Sequence, residues 1–208
     1  MITELREKSL IVVAGSDMPS LKARFIADIW NKDGYNTTIV EPNWGKASDP
    51  IDMADPVTSA ISDELKLNRD VLVMGLGNGG LTAIVGTEKY RWKVLTATAG
   101  TKFDTSISQF SQESALRTHI GDGLRSGTLS VAPDRVLNIV DPAGEIEGLS
   151  LPNASVYRAR WNENDRWLNP LMASLIYQKN AVREIFREQS FRRTIMSATY
   201  QRRVVRTT

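Results

Sequence analysis

The chain has 208 residues, a formal net charge of +2 and an ordinary globular composition, which together predict one domain with a sizeable core. It contains no cysteine and one histidine, which excludes disulfides, a thiol nucleophile, thiolate metal sites and multi-histidine metal sites. We find no apolar run of transmembrane length and no apolar h-region in the first nine residues, so neither a membrane span nor a secretory signal peptide is predicted.

Short apolar, β-branched runs alternate with amphipathic helical patterns along the chain. The predicted strands are residues 9–14, 35–40, 71–75, 92–99, 135–140 and 154–160. The predicted helices are residues 19–32, 56–66, 81–90, 107–116, 120–124 and 170–188. This alternation predicts a mostly parallel central sheet with helices on both faces, an α/β fold of three layers.

A loop rich in proline, aspartate and glycine, residues 41–55, is predicted to cross the carboxyl end of the sheet. Asp55 would be the N-cap of the helix that follows it. A plain surface connection and a binding role are both open for this loop. Asp49, Asp52 and Asp55 would also suit a cation, although loop capping is the commoner explanation for such spacing.

The sequence VLVMGLGNGG, residues 71–80, predicts a buried central strand that ends at a sharp glycine-rich turn. Gly75, Gly77 and Gly80 match the G-x-G-x-x-G pattern of dinucleotide sites. That pattern normally occupies the first βα turn, with an acidic residue about twenty positions later, and neither condition holds here. The plainest alternative is that the glycines let a helix pack closely against the strand.

The same turn has the frame of a nucleophile elbow, G-x-S-x-G, with Gly75 and Gly79 as its outer glycines. The nucleophile's place is taken by Gly77, which has no side chain to attack a carbonyl. The backbone N–H of Asn78 would complete an oxyanion hole in such a turn. The elbow is therefore predicted to be degenerate.

The order of these features resembles the cutinase-like branch of the α/β-hydrolases, including the PE-PPE-type esterase domains and the lysin B esterases of phages that infect mycolate-coated bacteria. The resemblance covers about residues 9–177 and implies a three-layer α/β-hydrolase-like fold. It also implies that Asp165, after the last predicted strand, is the vestigial acid of a triad. The matching segments are residues 12–16, 38–44 and 75–80.

Two members of the family's triad are missing, since Gly77 replaces the serine and no histidine follows His119. Without a nucleophile and its paired base, acyl transfer by the Ser–His–acid mechanism has no first step. His119 is predicted to be a surface or packed side chain. Four other polar residues near strand ends are predicted to be caps or turn formers, namely Ser16, Asp17, Ser106 and Ser108.

The C-terminal end of the chain is basic, because residues 179–208 contain eight Lys or Arg and two Glu. Residues 1–188 are predicted to form the single domain, and residues 189–208 a basic arm with interleaved apolar residues. Arginine can pair and stack while apolar side chains become buried, which suits an arm packed on a protein partner or a second copy. Nucleic acid is disfavoured because no recognition motif is present. The predicted partner-binding residues are Arg192, Arg193, Tyr200, Arg202, Arg203 and Arg206.

Taken together, these features predict a catalytically inactive α/β-hydrolase-like structural or interaction protein and not an enzyme. Its predicted location is the cytoplasm or a phage virion, where the arm would hold it in an assembly. No catalytic residue, cofactor or metal is predicted. Two alternatives stay open, namely an esterase or lipase with a non-standard catalytic site and a nucleotide-binding domain that uses the turn at residues 75–80.

Overall fold

The computed structural model describes residues 7–16, 20–32, 34–44, 49–103, 111–129, 131, 135–140, 151 and 154–158. Contacts between Cα atoms divide the chain into two compact units, residues 1–160 and 161–208, and every described residue belongs to the first unit. The predicted helix 170–188 and the predicted arm 189–208 lie outside the described residues. Among the described helices, none is both long enough and apolar enough to cross a bilayer.

Within the described residues, six strands form one sheet in the order β2-β1-β3-β4-β5-β6. Every neighbouring pair is parallel, as the alternation of strands and helices predicts. The strands are β1 Lys8–Val13, β2 Tyr35–Val40, β3 Asp70–Leu76, β4 Val94–Ala99, β5 Val136–Val140 and β6 Ser155–Arg158.

Helices cover both faces of this sheet. From β1 the chain moves outwards to β2, and from β2 it returns past β1 to β3, so right-handed connections place the two intervening helices on opposite faces. The three-layer α/β architecture is therefore confirmed. The described α-helices are α1 Ser20–Lys32, α2 Pro50–Lys66, α3 Gly79–Thr87 and α4 Ser111–Ser126, with a 3-10 turn at Glu88–Tyr90.

The core is built from the alternating faces of β1 and β3. Ile11 and Val73 belong to a buried apolar cluster that includes Val57 and Ile61 of α2. Their sequence neighbours point to the opposite face and are buried as well, including Leu10 and Met74. Strands buried on both faces are typical of parallel sheets, which explains why these segments are continuously apolar.

At the edge strand β2, Tyr35 packs edge-on against Trp30 of α1, with 4.7 Å between the ring centroids. Burial of the Tyr35 phenol raises its pKa above the usual value. The ammonium of Lys8 lies 5.7 Å from the centre of the same ring. Tyr35 therefore links the first helix to the amino ends of β1 and β2.

Two predicted helices differ in the structure. Helix α2 begins at Pro50, and its N-cap is Asp49, whose carboxylate accepts a hydrogen bond of 2.8 Å from the N–H of Ile51. The prediction that Asp55 caps this helix is wrong, because Asp55 lies in its second turn. From residue 111 onwards the two predicted stretches, 107–116 and 120–124, form the single helix α4, which continues through Gly121 and Gly123; residues 107–110 lie outside the described residues.

Candidate functional site

The candidate site lies at the carboxyl end of the sheet, between β1 and β3. The chain leaves β1 for β2 on one side, and β3 later pairs with the other side of β1, so the connections diverge at this point. Open α/β sheets bind their ligands in the crevice at such a switch point. Ser16 follows β1, Asn78 follows β3 and Thr101 follows β4, which brings polar groups from three strand ends to this crevice.

The turn after β3 is held by backbone and side-chain hydrogen bonds. Gly77 has a φ of 53°, in the left-handed region that favours glycine. Its N–H donates to the carbonyl of Ala99 at 2.9 Å. Its carbonyl accepts from the hydroxyl of Thr101 at 2.8 Å and from the N–H of Gly80 at 3.1 Å. The turn is therefore anchored to the end of β4 and to the first turn of α3.

The other glycines of the turn are explained by close packing. A Cβ atom on Gly75 would lie 2.3 Å from the Cα of Gly80, and one on Gly79 would lie 2.4 Å from the carbonyl oxygen of Val13. A Cβ on Gly80 would lie 1.9 Å from the hydroxyl oxygen of Thr101. These three glycines of the turn are therefore needed because α3 packs very close to the strand ends. A bound nucleotide is not required to explain them.

A buried carboxylate lies beside this turn. Glu113 of α4 is 2% exposed, and its Oε1 accepts hydrogen bonds from the side-chain amide of Asn78 and from the hydroxyl of Ser16, the latter at 3.1 Å. The amide nitrogen of Asn78 is also 3.3 Å from the Ser16 hydroxyl oxygen. Glu113 therefore connects the loop after β1 with the turn after β3.

The charge of Glu113 is balanced by Arg117, one helical turn further along α4. Arg117 is 3% exposed, and its Nη1 lies 3.4 Å from Oε2 of Glu113. Its Nε donates to the carbonyl of Lys102 at 3.0 Å, which ties the pair to the loop after β4. A buried carboxylate is tolerated only where such partners replace water. We call Ser16, Asn78, Glu113 and Arg117 the polar cluster.

This arrangement has the parts of an activated nucleophile. The residue Ser16 is exposed, and its hydroxyl donates a hydrogen bond to the buried carboxylate of Glu113, a group that can accept a proton. The carboxylate is in turn oriented by the guanidinium of Arg117 and the amide of Asn78. A hydroxyl group, a carboxylate and two groups that orient the carboxylate thus lie together at one strand end.

The predicted elbow residues Gly75, Gly77, Asn78 and Gly79 form the expected strand–turn–helix. Asn78 and Ser16 enter the polar cluster, although Ser16 was predicted to be only a turn former. The predicted acid Asp165 lies outside the described residues. So do Asp17, Ser106, Ser108 and the arm residues Arg192, Arg193, Tyr200, Arg202, Arg203 and Arg206. Whether these residues act as predicted stays open.

The chain's one histidine does not join the polar cluster. His119 is half-buried on α4 and lines a groove of about 620 Å³ together with the exposed residues Ile51 and Trp92. None of the four polar-cluster residues lines this groove. The acid–base group that the polar cluster itself contains is therefore a carboxylate, that of Glu113.

Sequence analysis missed Glu113 and Arg117. Their signal was the spacing of residues 113, 116, 117 and 120, which places both charges on the same helix face as the buried residues Leu116 and Ile120. A charged residue at a core-facing helix position is rare unless it is paired. The partner residue Ser16 lies 97 positions away in the chain, which no local pattern could indicate.

No protein-family model matches the chain, and no curated protein matches it in sequence. Solved structures do match. One comes from work on LipS and LipT, two metagenome-derived lipolytic enzymes. It is 14% identical, has a TM-score of 0.54, and the match covers 84% of this chain and 94% of that chain. A second is MGS-MChE2, an α/β-hydrolase enzyme from a sediment metagenome of the Mar Chica lagoon in Morocco, with 13% identity, a TM-score of 0.52 and coverage of 86% and 93%.

A third match is Est1E from Butyrivibrio proteoclasticus, with 15% identity, a TM-score of 0.57 and coverage of 88% of each chain. The chain has an α/β-hydrolase fold. The narrower resemblance to cutinase-like or lysin B-like proteins stays a prediction, because none of these three matches belongs by its description to either group.

The prediction that the chain is not an enzyme is wrong, because the structural neighbours of this α/β-hydrolase fold include lipolytic and α/β-hydrolase enzymes and point towards an enzyme. The sequence argument rested on two missing triad members, the serine at Gly77 and a histidine after His119, and it treated Ser16 as lacking a base. In the structure Ser16 has a carboxylate partner. At these identities the likeness shows the fold, and the reaction has to be argued from the polar cluster.

Proposed function

We propose that this α/β-hydrolase-fold protein hydrolyses carboxylic esters with a non-standard catalytic site, in which Ser16 is the nucleophile and Glu113 is its base. The observation that carries the proposal is the hydrogen bond of 3.1 Å from the Ser16 hydroxyl to the buried Glu113 carboxylate. Gly77 then presents no obstacle, because the hydroxyl comes from the loop after β1 instead of from the turn after β3.

The first half of the proposed reaction acylates the protein. The Ser16 oxygen attacks the ester carbonyl while its proton passes to Oε1 of Glu113, which gives a tetrahedral oxyanion. When the oxyanion collapses, the bond to the alcohol oxygen breaks, and Glu113 returns the proton to the departing alkoxide. The products of this half are the free alcohol and an acyl group on Ser16.

The second half releases the acid. A water molecule attacks the acyl carbonyl while Glu113 accepts one of its protons, and collapse of the second oxyanion returns that proton to the Ser16 oxygen. Both oxyanions form beside Asn78, the N-cap of α3, where the positive end of the helix dipole favours negative charge.

The direct test uses the full-length protein with a fluorophosphonate probe and with p-nitrophenyl butyrate as substrate. We expect probe labelling and ester cleavage in the wild type. Ser16→Ala should abolish labelling, and Glu113→Gln should slow acylation by about 10²–10⁴-fold because the base is lost. The matched control is Ser59→Ala, which removes an exposed serine of α2 and should change neither readout.

Peptide mapping of the labelled protein decides the assignment. A probe adduct on Ser16 supports the proposal. An adduct on another serine, or a wild type that is neither labelled nor active after repeated purification, contradicts it. A thermal shift with NAD or ATP that Gly77→Asp abolishes would support the nucleotide-binding alternative instead.

We also propose that the basic arm, residues 189–208, binds a protein partner or a second copy of the chain. The support is its alternation of arginine with apolar residues. The measurement is the mass in solution by light scattering, for the full chain and for a chain that ends at residue 188. Equal, monomeric masses would contradict self-association. The resemblance to phage esterases is the support for a virion location.

A further inference from the structure

Asn78 is the N-cap of α3, but its side chain does not cap the helix. Asparagine is favoured at this position because its side-chain oxygen usually accepts an N–H from the first helical turn. Here the side chain makes no capping hydrogen bond, and the residue is 9% exposed. The side chain instead contacts two oxygen atoms of the polar cluster, one on Ser16 and one on Glu113.

The side-chain nitrogen of Asn78, Nδ2, makes both of these contacts. It donates to Oε1 of Glu113 and lies 3.3 Å from the hydroxyl oxygen of Ser16. A carboxylate that is paired with an arginine only accepts hydrogen bonds, so the group that faces it is the NH₂ and not the amide oxygen. The two oxygens are 3.1 Å apart. Nδ2 therefore faces both of the atoms between which the proposed reaction transfers a proton.

That proton transfer moves negative charge from one oxygen to the other. Before the transfer the charge is on the carboxylate of Glu113. As the proton passes from the Ser16 oxygen to Oε1, negative charge develops on the Ser16 oxygen, and Oε1 becomes a weaker acceptor. An N–H shared between the two oxygens then strengthens its bond to the Ser16 oxygen, while Asn78 keeps all of its own protons. A contact that strengthens towards the transition state lowers the barrier.

Burial makes this contact effective. Glu113 is 2% exposed, so little water competes with the amide for the charge, and a hydrogen bond to an ionised group is stronger than one between neutral groups. Arg117 contacts the other carboxylate oxygen, Oε2, at 3.4 Å. The guanidinium and the amide therefore hold different oxygens of Glu113, and the amide holds the oxygen that takes the proton.

We infer that Asn78 is a catalytic residue, whose side-chain amide stabilises the Ser16 oxygen while Glu113 removes its proton. This inference rests on the proposed ester hydrolysis at Ser16. It assigns to Asn78 a contact with the reacting oxygen, in addition to its contact with the base. Its loss should therefore slow the chemical step without weakening substrate binding.

The test measures how fast the full-length protein reacts with the fluorophosphonate probe at increasing probe concentrations. We expect Asn78→Ala to lower the rate constant at saturating probe by about 10²-fold, as loss of one donor to a developing oxyanion does. The probe concentration that gives half of the maximal rate, and the final extent of labelling, should stay unchanged. The final extent counts folded sites, so a loss of folded protein does not imitate a slower reaction.

A double variant separates the two contacts of Asn78. If the amide acted only by orienting Glu113, then Asn78→Ala would add nothing once the base has been removed. We expect Asn78→Ala to slow labelling further, by about 10-fold, in the Glu113→Gln background, because the contact with the Ser16 oxygen is lost as well.

The matched control is Asn36→Ala. The Asn36 amide also donates to a carboxylate, that of Glu7 at 3.4 Å, but on the exposed surface beside β2. This variant should keep the wild-type labelling rate. A second readout needs no substitution at residue 78, namely the side-chain NH₂ signal of Asn78 in a ¹H–¹⁵N NMR spectrum. Ser16→Ala should shift that signal, and Ser59→Ala should not.

The outcomes separate the two proposals. The role of Asn78 is overturned, and the ester hydrolysis is left standing, if the wild type is labelled at Ser16 and Asn78→Ala is labelled equally fast. The same follows if the double variant is no slower than Glu113→Gln, or if Ser16→Ala leaves the Asn78 NH₂ signal in place. A wild type without labelling or turnover overturns the proposed function and this inference together.

Discussion

Replacing Arg117 by methionine should destabilise the fold strongly, because it leaves the carboxylate of Glu113 buried without its cation. The two groups are 3% and 2% exposed, with 3.4 Å between Nη1 and Oε2. At that separation and an effective dielectric constant of about 20, the attraction amounts to about 5 kcal/mol. Breaking one side of a buried pair costs about 3–5 kcal/mol in general, which we expect for Arg117→Met.

A double-mutant cycle isolates the interaction of the pair. Glu113→Gln preserves the size of the side chain but leaves Arg117 without a counter-charge, so it should also be destabilising. The double variant removes both charges and should lose less stability than the sum of the single losses, with a coupling energy of about 1–3 kcal/mol. The assay is urea unfolding followed by tryptophan fluorescence, with the slope m compared between variants.

The control lies on the same helix. Arg125 pairs with Asp122, and these side chains are 75% and 63% exposed, so Arg125→Met should change the free energy of unfolding by no more than about 0.5 kcal/mol. The reasoning would be refuted if Arg117→Met cost no more than Arg125→Met. It would equally be refuted if the losses from the two substitutions at 113 and 117 simply added.

Three further predictions concern the fold. Asp49→Ala should lower the free energy of unfolding by about 1 kcal/mol, because α2 loses its N-cap, while Asp55→Ala should change it little. The measurement is urea unfolding, and a larger loss from Asp55→Ala than from Asp49→Ala would place the cap at residue 55. Gly80→Ala should lower the Tm sharply in calorimetry, because the added Cβ would lie 1.9 Å from the hydroxyl oxygen of Thr101. Gly121→Ala should keep or raise the Tm, because its Cβ would only contact Nη1 of Arg125 at 3.7 Å and alanine favours a helix. Burial raises the pKa of the Tyr35 phenol in the folded protein above 10.0, its value in the unfolded chain. The neutral phenol therefore contributes its full stabilisation below pH 10.0, and this contribution is lost as the pH rises through the pKa of the folded state. The Tm of wild type should therefore fall more between pH 9 and 11 than that of Tyr35→Phe, and equal falls would contradict a buried phenol.

The parallel sheet could be predicted from the sequence because its signal is local. Each strand is a short apolar run that ends at a turn, and β2, Tyr35–Val40, matches its predicted bounds. Helix α2 was misplaced because both Pro50 and Pro56 suit a first helical position, and sequence alone does not choose between them.

Helix α4 was predicted as two short pieces; Gly121 and Gly123 lower helix propensity within the second piece, and the gap at residues 117–119 contains no glycine. The structure retains the helix and uses Gly123 for packing, since a Cβ there would lie 2.8 Å from the Cβ of Leu129. The carbonyl of Gly123 also accepts the N–H of Leu129 at 2.9 Å. Tertiary contact therefore overrides the local preference at this position.

The polar cluster was beyond the reach of local patterns. The sequence showed the glycine pattern of the turn at 75–80, and it showed that Gly77 has no side chain that could act as a nucleophile. It did not show which other residues lie beside the turn. The hydroxyl and the carboxylate that meet at the switch point come from residues 16 and 113, which only the folded topology brings together.

The position of β1 between β2 and β3 has a consequence for how the protein is made. Lys8 pairs with Asp70, and Ser16 lies 62 positions before its partner Asn78, so β1 leaves the ribosome well before β3 can pair with its second edge. Pairings between such distant segments slow folding, and an open strand edge invites association with other chains. The nascent polypeptide is thus most exposed to aggregation while β1 and β2 exist without β3, and α4, which brings Glu113, emerges later still.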